Sequence, residues 1–245
     1  VHRFFYVKEL KQFSFNFIIH GYFPPPKTKF IFNLASQNKT IRKRSIKLAK
    51  DAINLCSEIE SPLYTFHAGF TVDPHKLGAR FSQKNIVNKK KSIETFVESV
   101  TDIIDSAKNC GIKIALEPNV VEEFNLLKNK NELLLFADLD EIKQFYSIFK
   151  KKDVGLLLDL GHTAVTSHWL NFDRNEFVKF CVDKAFAVHL SNNNGKKDQH
   201  RSITKKCWQV SKLKLFKKHP ITLETMNLDI NKIKYNLKIA ENAVK

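Results

Sequence analysis

Short apolar runs that close on a histidine or a carboxylate, alternating with helix-length amphipathic segments, constrain the fold of this chain more than any other feature of it. The runs cover residues 15–20, 63–67, 112–116, 154–158, 185–190 and 220–223, ending at or just before His20, His67, Glu117, Asp159, His189 and Glu224. Runs this short and this apolar belong to strands covered on both faces, the condition of a parallel sheet. The intervening segments read as helices over 40–60, 87–109, 139–149, 174–183 and 230–244, with a short helical piece at 7–13. In the first long one, Ile41, Ile46, Ala49, Ala52, Ile53 and Cys56 fall on one stripe. Pro62 and Gly111 stand where helices are expected to stop. Pro24, Pro25 and Pro26 force an extended excursion after the first strand.

About six βα units follow from this alternation. Closed into a (β/α)8 barrel, such units bring the C-terminal ends of all strands to one rim, where barrels of this kind carry their chemistry. Six units are two short of eight, and the chain begins at Val1. The expected architecture is therefore α/β, a (β/α)8 TIM barrel forming one domain over 1–245, lacking its first two strands in this chain and incomplete at its N-terminus. A six-stranded open sheet would leave two edges unpaired. A chain of 245 residues, 43% hydrophobic, is long enough to bury such a core.

The net charge of +16 invites a polyanionic partner, but its make-up argues otherwise. Only 6 of the 41 basic residues are arginine, and Lys, Asn, Ile and Phe are all abundant, the bias of an AT-rich coding sequence. Lysine runs at 89–91, 150–152 and 217–218 flank helices and read as solvated faces. No apolar stretch approaches the roughly 20 residues of a membrane helix, so no membrane partner is expected, and no secretory signal is visible. Cys56, Cys110, Cys181 and Cys207 lie far apart without a CxxC pair and are expected to be reduced thiols in a cytoplasmic protein.

The segment 187–200 concentrates the chemistry. His189 closes an apolar strand, Gly195 supplies a flexible turn, and Asp198-x-His200 places two ligand-type side chains on one side of an extended stretch. Taken singly, a strand-end histidine such as His20 or His67 is as readily a structural residue. Glu117, Asp159, His189 and Glu224 are harder to account for that way, because carboxylates closing apolar strands are costly to bury without a cation or donors. These four are expected to hold a divalent metal. His75, His168 and His219 lie away from the strand ends and are assigned no role. Trp169 and Trp208 read as packing residues, with Trp208 close enough in sequence to His200 to wall a pocket.

In order along the chain stand His20-x-Tyr22-Phe23 with Asn33-Leu34-Ala35-Ser36, then Phe66-His67-Ala68-Gly69, Leu116-Glu117-Pro118-Asn119 and Leu158-Asp159-Leu160-Gly161-His162. Val188-His189-Leu190-Ser191 with Asp198-x-His200, and Leu223-Glu224-Thr225, complete the series. The series resembles the xylose isomerase-like TIM barrel superfamily, which contains sugar and sugar-phosphate isomerases and epimerases together with endonuclease IV, the abasic-site nuclease of AP endonuclease family 2. The resemblance runs from Phe17 to Glu224. It implies a metal site drawn from His20, His67, Glu117, Asp159, His162, His189, Asp198, His200 and Glu224.

Two reactions fit that set. For a sugar or sugar-phosphate isomerase or epimerase, the resemblance implies one divalent cation (Mn, Mg, Co or Zn) held by Glu117, Asp159, His189 and Glu224, polarising an open-chain carbohydrate substrate. Glu117 and Glu224 would move the carbon-bound proton through an enediolate, with His67, His162 and His200 orienting hydroxyls or shuttling protons. The implied catalytic set is Glu117, Glu224, His67 and His200. For the alternative, an abasic-site DNA endonuclease, the resemblance implies all nine residues around a three-zinc cluster and a nucleic-acid partner. Four carboxylates around one divalent ion leave a charge of about −2, poor for a phosphodiester, whereas three ions leave about +2, well suited to it. Residues 201–208 lack glycine, and the approach to Tyr22-Phe23 is shortened before an insertion at 24–29. Together with the segments 66–74, 159–165 and Cys207-Trp208, these features favour the sugar enzyme, in a branch associated with surface-carbohydrate synthesis. A metal-binding barrel without catalysis is a third class. The number of ions separates the first two.

Overall fold

A computed structural model describes residues 2–82 and 84–245. Six strands lie parallel and pair in chain order: β1 (Ile19–His20), β2 (Leu63–His67), β3 (Lys113–Glu117), β4 (Gly155–Asp159), β5 (Ala185–Leu190) and β6 (Ile221–Leu223). They are connected and flanked by α1 (His2–Leu10), α2 (Lys39–Glu58), α3 (Lys89–Cys110), α4 (Leu139–Ile148), α5 (Leu160–Leu170), α6 (Arg174–Cys181), α7 (Trp208–Lys212) and α8 (Ile230–Val244).

Strand side chains alternate between two faces, and here the faces differ. Tyr64 and Phe66, Ile114 and Leu116, Leu156 and Leu158, and Val188 and Leu190 join the main core, where they meet the apolar stripes of α2 and α3. Leu63, Ala115, Leu157 and Ala187 form a separate small cluster on the other face. On that same parity, four residues beyond Leu63 and two beyond each of the others, stand His67, Glu117, Asp159 and His189. The inner face thus has a floor of small apolar side chains and a rim of titratable ones.

The sheet is curled. Four strand spacings in a flat sheet would separate β1 from β5 by about 19 Å, yet the ring of His20 on β1 lies 5.1 Å from that of His189 on β5. This is the curvature of a barrel wall.

Most elements lie within a residue or two of their expected positions, and the departures have local causes. Of the apolar run 15–20 only Ile19 and His20 pair with β2, while Phe13 and Phe15 are exposed. The short helical piece expected at 7–13 is α1, ending at Leu10. α5 has no counterpart in the sequence pattern, because its residues 160–167 are all buried and no polar face marks a helical period. Asn38 and Asn88 cap α2 and α3, each side chain accepting from two backbone N–H groups of the first turn, and Gly111 ends α3 in the left-handed conformation at φ 69°. Among the described residues no helix is long and apolar enough to cross a membrane, and all four cysteines are unpaired.

Asn33 ties the loop after β1 to the loop after β2. Its buried side chain donates through Nδ2 to Phe70 O (3.2 Å), Val72 O (3.3 Å) and Asp73 Oδ1 (2.8 Å), and accepts at Oδ1 from Ala35 N (3.1 Å) and Phe70 N (2.9 Å). Asn33→Ala leaves those buried N–H groups without an acceptor and is expected to cost about 2–4 kcal/mol of stability, read as a lowered urea midpoint. A loss under about 0.5 kcal/mol would mean that the two loops hold each other without it.

Candidate metal centre

Each of the nine residues expected at the site lies at the C-terminal end of a strand or in the segment that follows one, and the nine converge. Glu117, ending β3 and 1% exposed, is central. Its Oε2 is 3.5 Å from His20 Nε2 and 3.3 Å from His67 Nε2, while its Oε1 is 3.3 Å from His162 Nδ1 and 3.5 Å from His189 Nδ1. His189 Nδ1 is also 3.0 Å from Glu224 Oε2 and 3.9 Å from Asp159 Oδ2. Asp198 Oδ2 lies 3.3 Å from His162 Nε2 and 3.0 Å from His200 Nε2. Donor atoms within 4.8 Å of one another sort the residues into three groups: His20, His67 and Glu117; Glu117, Asp159, His189 and Glu224; His162, Asp198 and His200. Glu117 belongs to two of them.

Local structure explains why these atoms face inward. Asp159 is both the last residue of β4 and the N-cap of α5: its Oδ1 accepts from His162 N at 2.7 Å, which leaves Oδ2 for the centre and sets His162 in the first turn. At Gly161 a Cβ would overlap Ser191 Oγ and sit 3.1 Å from Asp159 Oδ1, so the Leu-Gly-His sequence needs its glycine for close approach. Thr65 Oγ1 donates to Ile19 O and so accepts from His20 Nδ1 at 2.8 Å. His200 Nδ1 can only donate to its partner Glu224 O, at 2.9 Å. In both rings the proton is thereby placed on Nδ1. Nε2 then faces a carboxylate across a gap that calls for a cation or a proton, the arrangement outer partners impose on metal-bound histidines.

The donor set fits divalent cations. Of the eleven buried side-chain polar atoms without a hydrogen-bond partner among the described residues, seven belong to the nine: Glu117 Oε1 and Oε2, Asp159 Oδ2, His162 Nδ1, His189 Nδ1, Asp198 Oδ1 and Glu224 Oε2. Such clustering of orphaned donors is costly unless ions satisfy them, and mixed imidazole and carboxylate sets suit several divalent metals. Without ions, protons do that work. Burial alone would push the His189 ring down, but Glu117 and Glu224 beside it carry it up to about 10. His200 is drawn up to about 9, chiefly by Asp198. Burial takes Asp159 up to about 7, whereas Glu224 falls to about 2 against its own burial because His189 adjoins it. His20 is taken down to about 4 by burial.

A cavity of about 500 Å³ opens beside the centre, and His67, His162, Asp198, His200 and Glu224 form one end of it. Trp208 does not line it: its Nε1 donates to Asn175 Oδ1 and its ring lies 4.5 Å from the Arg174 guanidinium, so it packs on α6. His75 and His168 are exposed, and His219 packs edge-on against Phe216.

Residues 6–238 match the profile of the xylose isomerase-like TIM barrel family. The chain belongs to that family. Among relatives of this xylose isomerase-like barrel, "Probable endonuclease 4" of Persephonella marina is 26% identical over 187 residues, covering 72% of this chain and 58% of that protein. "Apurinic-apyrimidinic endonuclease 1" of Plasmodium falciparum is 25% identical over 252 residues, covering 94% of this chain and 37% of that protein. The chain thus spans less than two thirds of the length of either. A D-tagatose 3-epimerase-like protein superposes with a TM-score of 0.72 at 20% identity, covering 99% of this chain and 85% of that one, a likeness of fold.

Two residues that position the site in this xylose isomerase-like barrel were not anticipated. Thr65 sits two residues before His67, so period-two alternation along the strand places it on the inner face. Glu122 accepts from Asp198 N at 2.9 Å and holds the Asp-x-His segment over the rim, a contact across 76 residues with no local signal.

Proposed function

We propose that this protein hydrolyses phosphodiester bonds of nucleic acid with the help of bound divalent cations. The observation that carries this reading is the sorting of nine donor residues into three groups, two of which share Glu117. With three dications the four carboxylates leave a site near +2, matched to a phosphodiester; one dication would leave it near −2. The position of Glu117 weighs against the sugar isomerase. Both of its oxygens face histidines and it does not line the cavity, so neither is free to exchange a proton with a substrate carbon, whereas Glu224 does line it. Two relatives named as endonucleases agree.

Bound cations supply charge to stabilise the phosphoryl oxygens and make an attacking water more acidic. His20, His67 and Glu117 hold one end of the centre, Glu117, Asp159, His189 and Glu224 its middle, and His162, Asp198 and His200 the other end. Glu224, the middle-group carboxylate that lines the cavity, is placed to take the proton of the attacking water through the oxygen that is not turned to His189. His67 and His200, from opposite ends and both lining the cavity, flank the phosphoryl group. Exposed Lys196 and Lys197, on the segment that carries Asp198, add charge for neighbouring phosphates.

The test is to strip the protein with chelator, reload it with zinc or manganese, and count ions per chain by mass spectrometry while assaying cleavage of a labelled DNA oligonucleotide. Three ions and metal-dependent cleavage are expected. A single ion together with ketose interconversion and solvent-proton exchange would overturn the reading.

A further inference from the structure

The cavity beside the metal centre is larger and more apolar than a sugar phosphate requires. At about 500 Å³ it is in the range that buries most of the surface of a drug-sized ligand. Half-buried Phe124 and exposed Leu77, with the almost fully buried Phe70, Phe81 and Leu134, form an apolar part of its wall, and the histidines and Glu224 of the metal centre close one end. Phe70 and Phe81 meet edge to face with centroids 5.2 Å apart, which fixes their ring planes, and the backbone of Phe70 is held by Asn33 Oδ1. A bare deoxyribose phosphate is polar throughout and would leave this wall without a partner. The planar, largely apolar group that accompanies a phosphodiester in nucleic acid is the base.

We infer that the cavity receives an intact nucleobase adjoining the phosphodiester at the metal centre, so that the substrate is a base-bearing nucleotide drawn out of its stack. The inference rests on the phosphodiesterase reading. Phe124, the half-buried phenylalanine of the wall, is the ring on which a base would stack, and aromatic stacking of this kind grips any base irrespective of sequence. Glu122, Lys197 and Gln199, also lining the cavity, carry the donors and acceptors with which a base edge pairs.

Calorimetric titration of the zinc-loaded protein with deoxyadenosine 5′-monophosphate and with 2-deoxyribose 5-phosphate tests this directly. The nucleotide is expected to bind at least about tenfold tighter, the weight of one base–aromatic stack. Phe124→Ala, at a half-buried position that leaves the core intact, is expected to remove most of that difference while sugar-phosphate binding and metal content stay unchanged. Phe81→Ala serves as a second variant on the buried side of the wall. Equal or tighter binding of the sugar phosphate, or a Phe124→Ala protein that keeps the full preference, overturns the inference. Oligonucleotide cleavage separates this from the underlying reading. Incision at an abasic analogue without any nucleotide preference leaves the phosphodiesterase standing and ends the base cavity. A nucleotide preference abolished by Phe124→Ala, with no phosphodiester cut, upholds the cavity and ends the hydrolase.

Discussion

Glu117→Gln is expected to abolish the proposed hydrolysis and to leave one bound ion per chain where three are expected in the parent. Glu117 is the residue shared by two of the three groups, with each oxygen turned to a different pair of histidines. Glutamine keeps the shape but offers one weak oxygen donor and no charge, so both groups that contain it lose affinity. The group of His162, Asp198 and His200 does not use it and is expected to keep its ion. Cation stabilisation of a transferring phosphoryl group is worth several kcal/mol, so the rate is expected to fall at least about a thousandfold. Ion counting and oligonucleotide cleavage on the same preparation check both halves, with circular dichroism confirming the fold. A variant that retains three ions and a near-parental rate would remove Glu117 from the centre and dissolve the joined cluster.

Loading the metal-free protein at pH 7 is expected to expel about three protons per chain, and apparent affinity to rise steeply with pH. The sign follows from the histidines. His189 at about 10, His200 at about 9 and His162, raised well above the usual imidazole range by Asp159, Asp198 and Glu117 against its burial, are all protonated at neutral pH. Each must lose that proton to become a ligand. His20, taken down to about 4, is already neutral and releases none, while Asp159 at about 7 adds a fraction of one. Apparent affinity therefore rises with pH through neutrality and flattens only once pH has passed the values of these rings, above about 10 for His189. The same rings affect the metal-free fold in the opposite sense. Their folded values lie above the unfolded imidazole value, so the stability they lend is complete below about pH 6.5 and fades as pH climbs through 9 to 10. Calorimetry in buffers of different ionisation enthalpy measures the proton count; a count near zero would mean that these imidazoles are not displaced by ions.

Individual elements show where local sequence suffices. Strands β2 and β5 and helix α8 lie where their patterns placed them, because period-two and period-3.6 apolarity report on which face of a local element is buried. α5 shows no such period because burial on every side erases it, although the Leu-Gly-His motif marks the His162 it carries. Trp208 is the packing residue its sequence context suggests, but it walls no pocket at the site: nearness in sequence to His200 says nothing about the direction in which α7 turns its ring, which is toward Arg174 and Asn175.

By itself, the sequence determined the alternation of strands and helices, the family, and the nine side chains at or just after the strand ends, since each is read from short local motifs and their order along the chain. Only the tertiary structure decided how those nine divide, which of their nitrogens carry protons, that Glu117 turns away from the cavity while Glu224 faces it, and that an aromatic wall stands beside them. The reason is curvature. Strand stagger and sheet curl bring His20 within 5.1 Å of His189 across 169 positions of sequence, and no local pattern encodes a distance set by the summed twist of five strands.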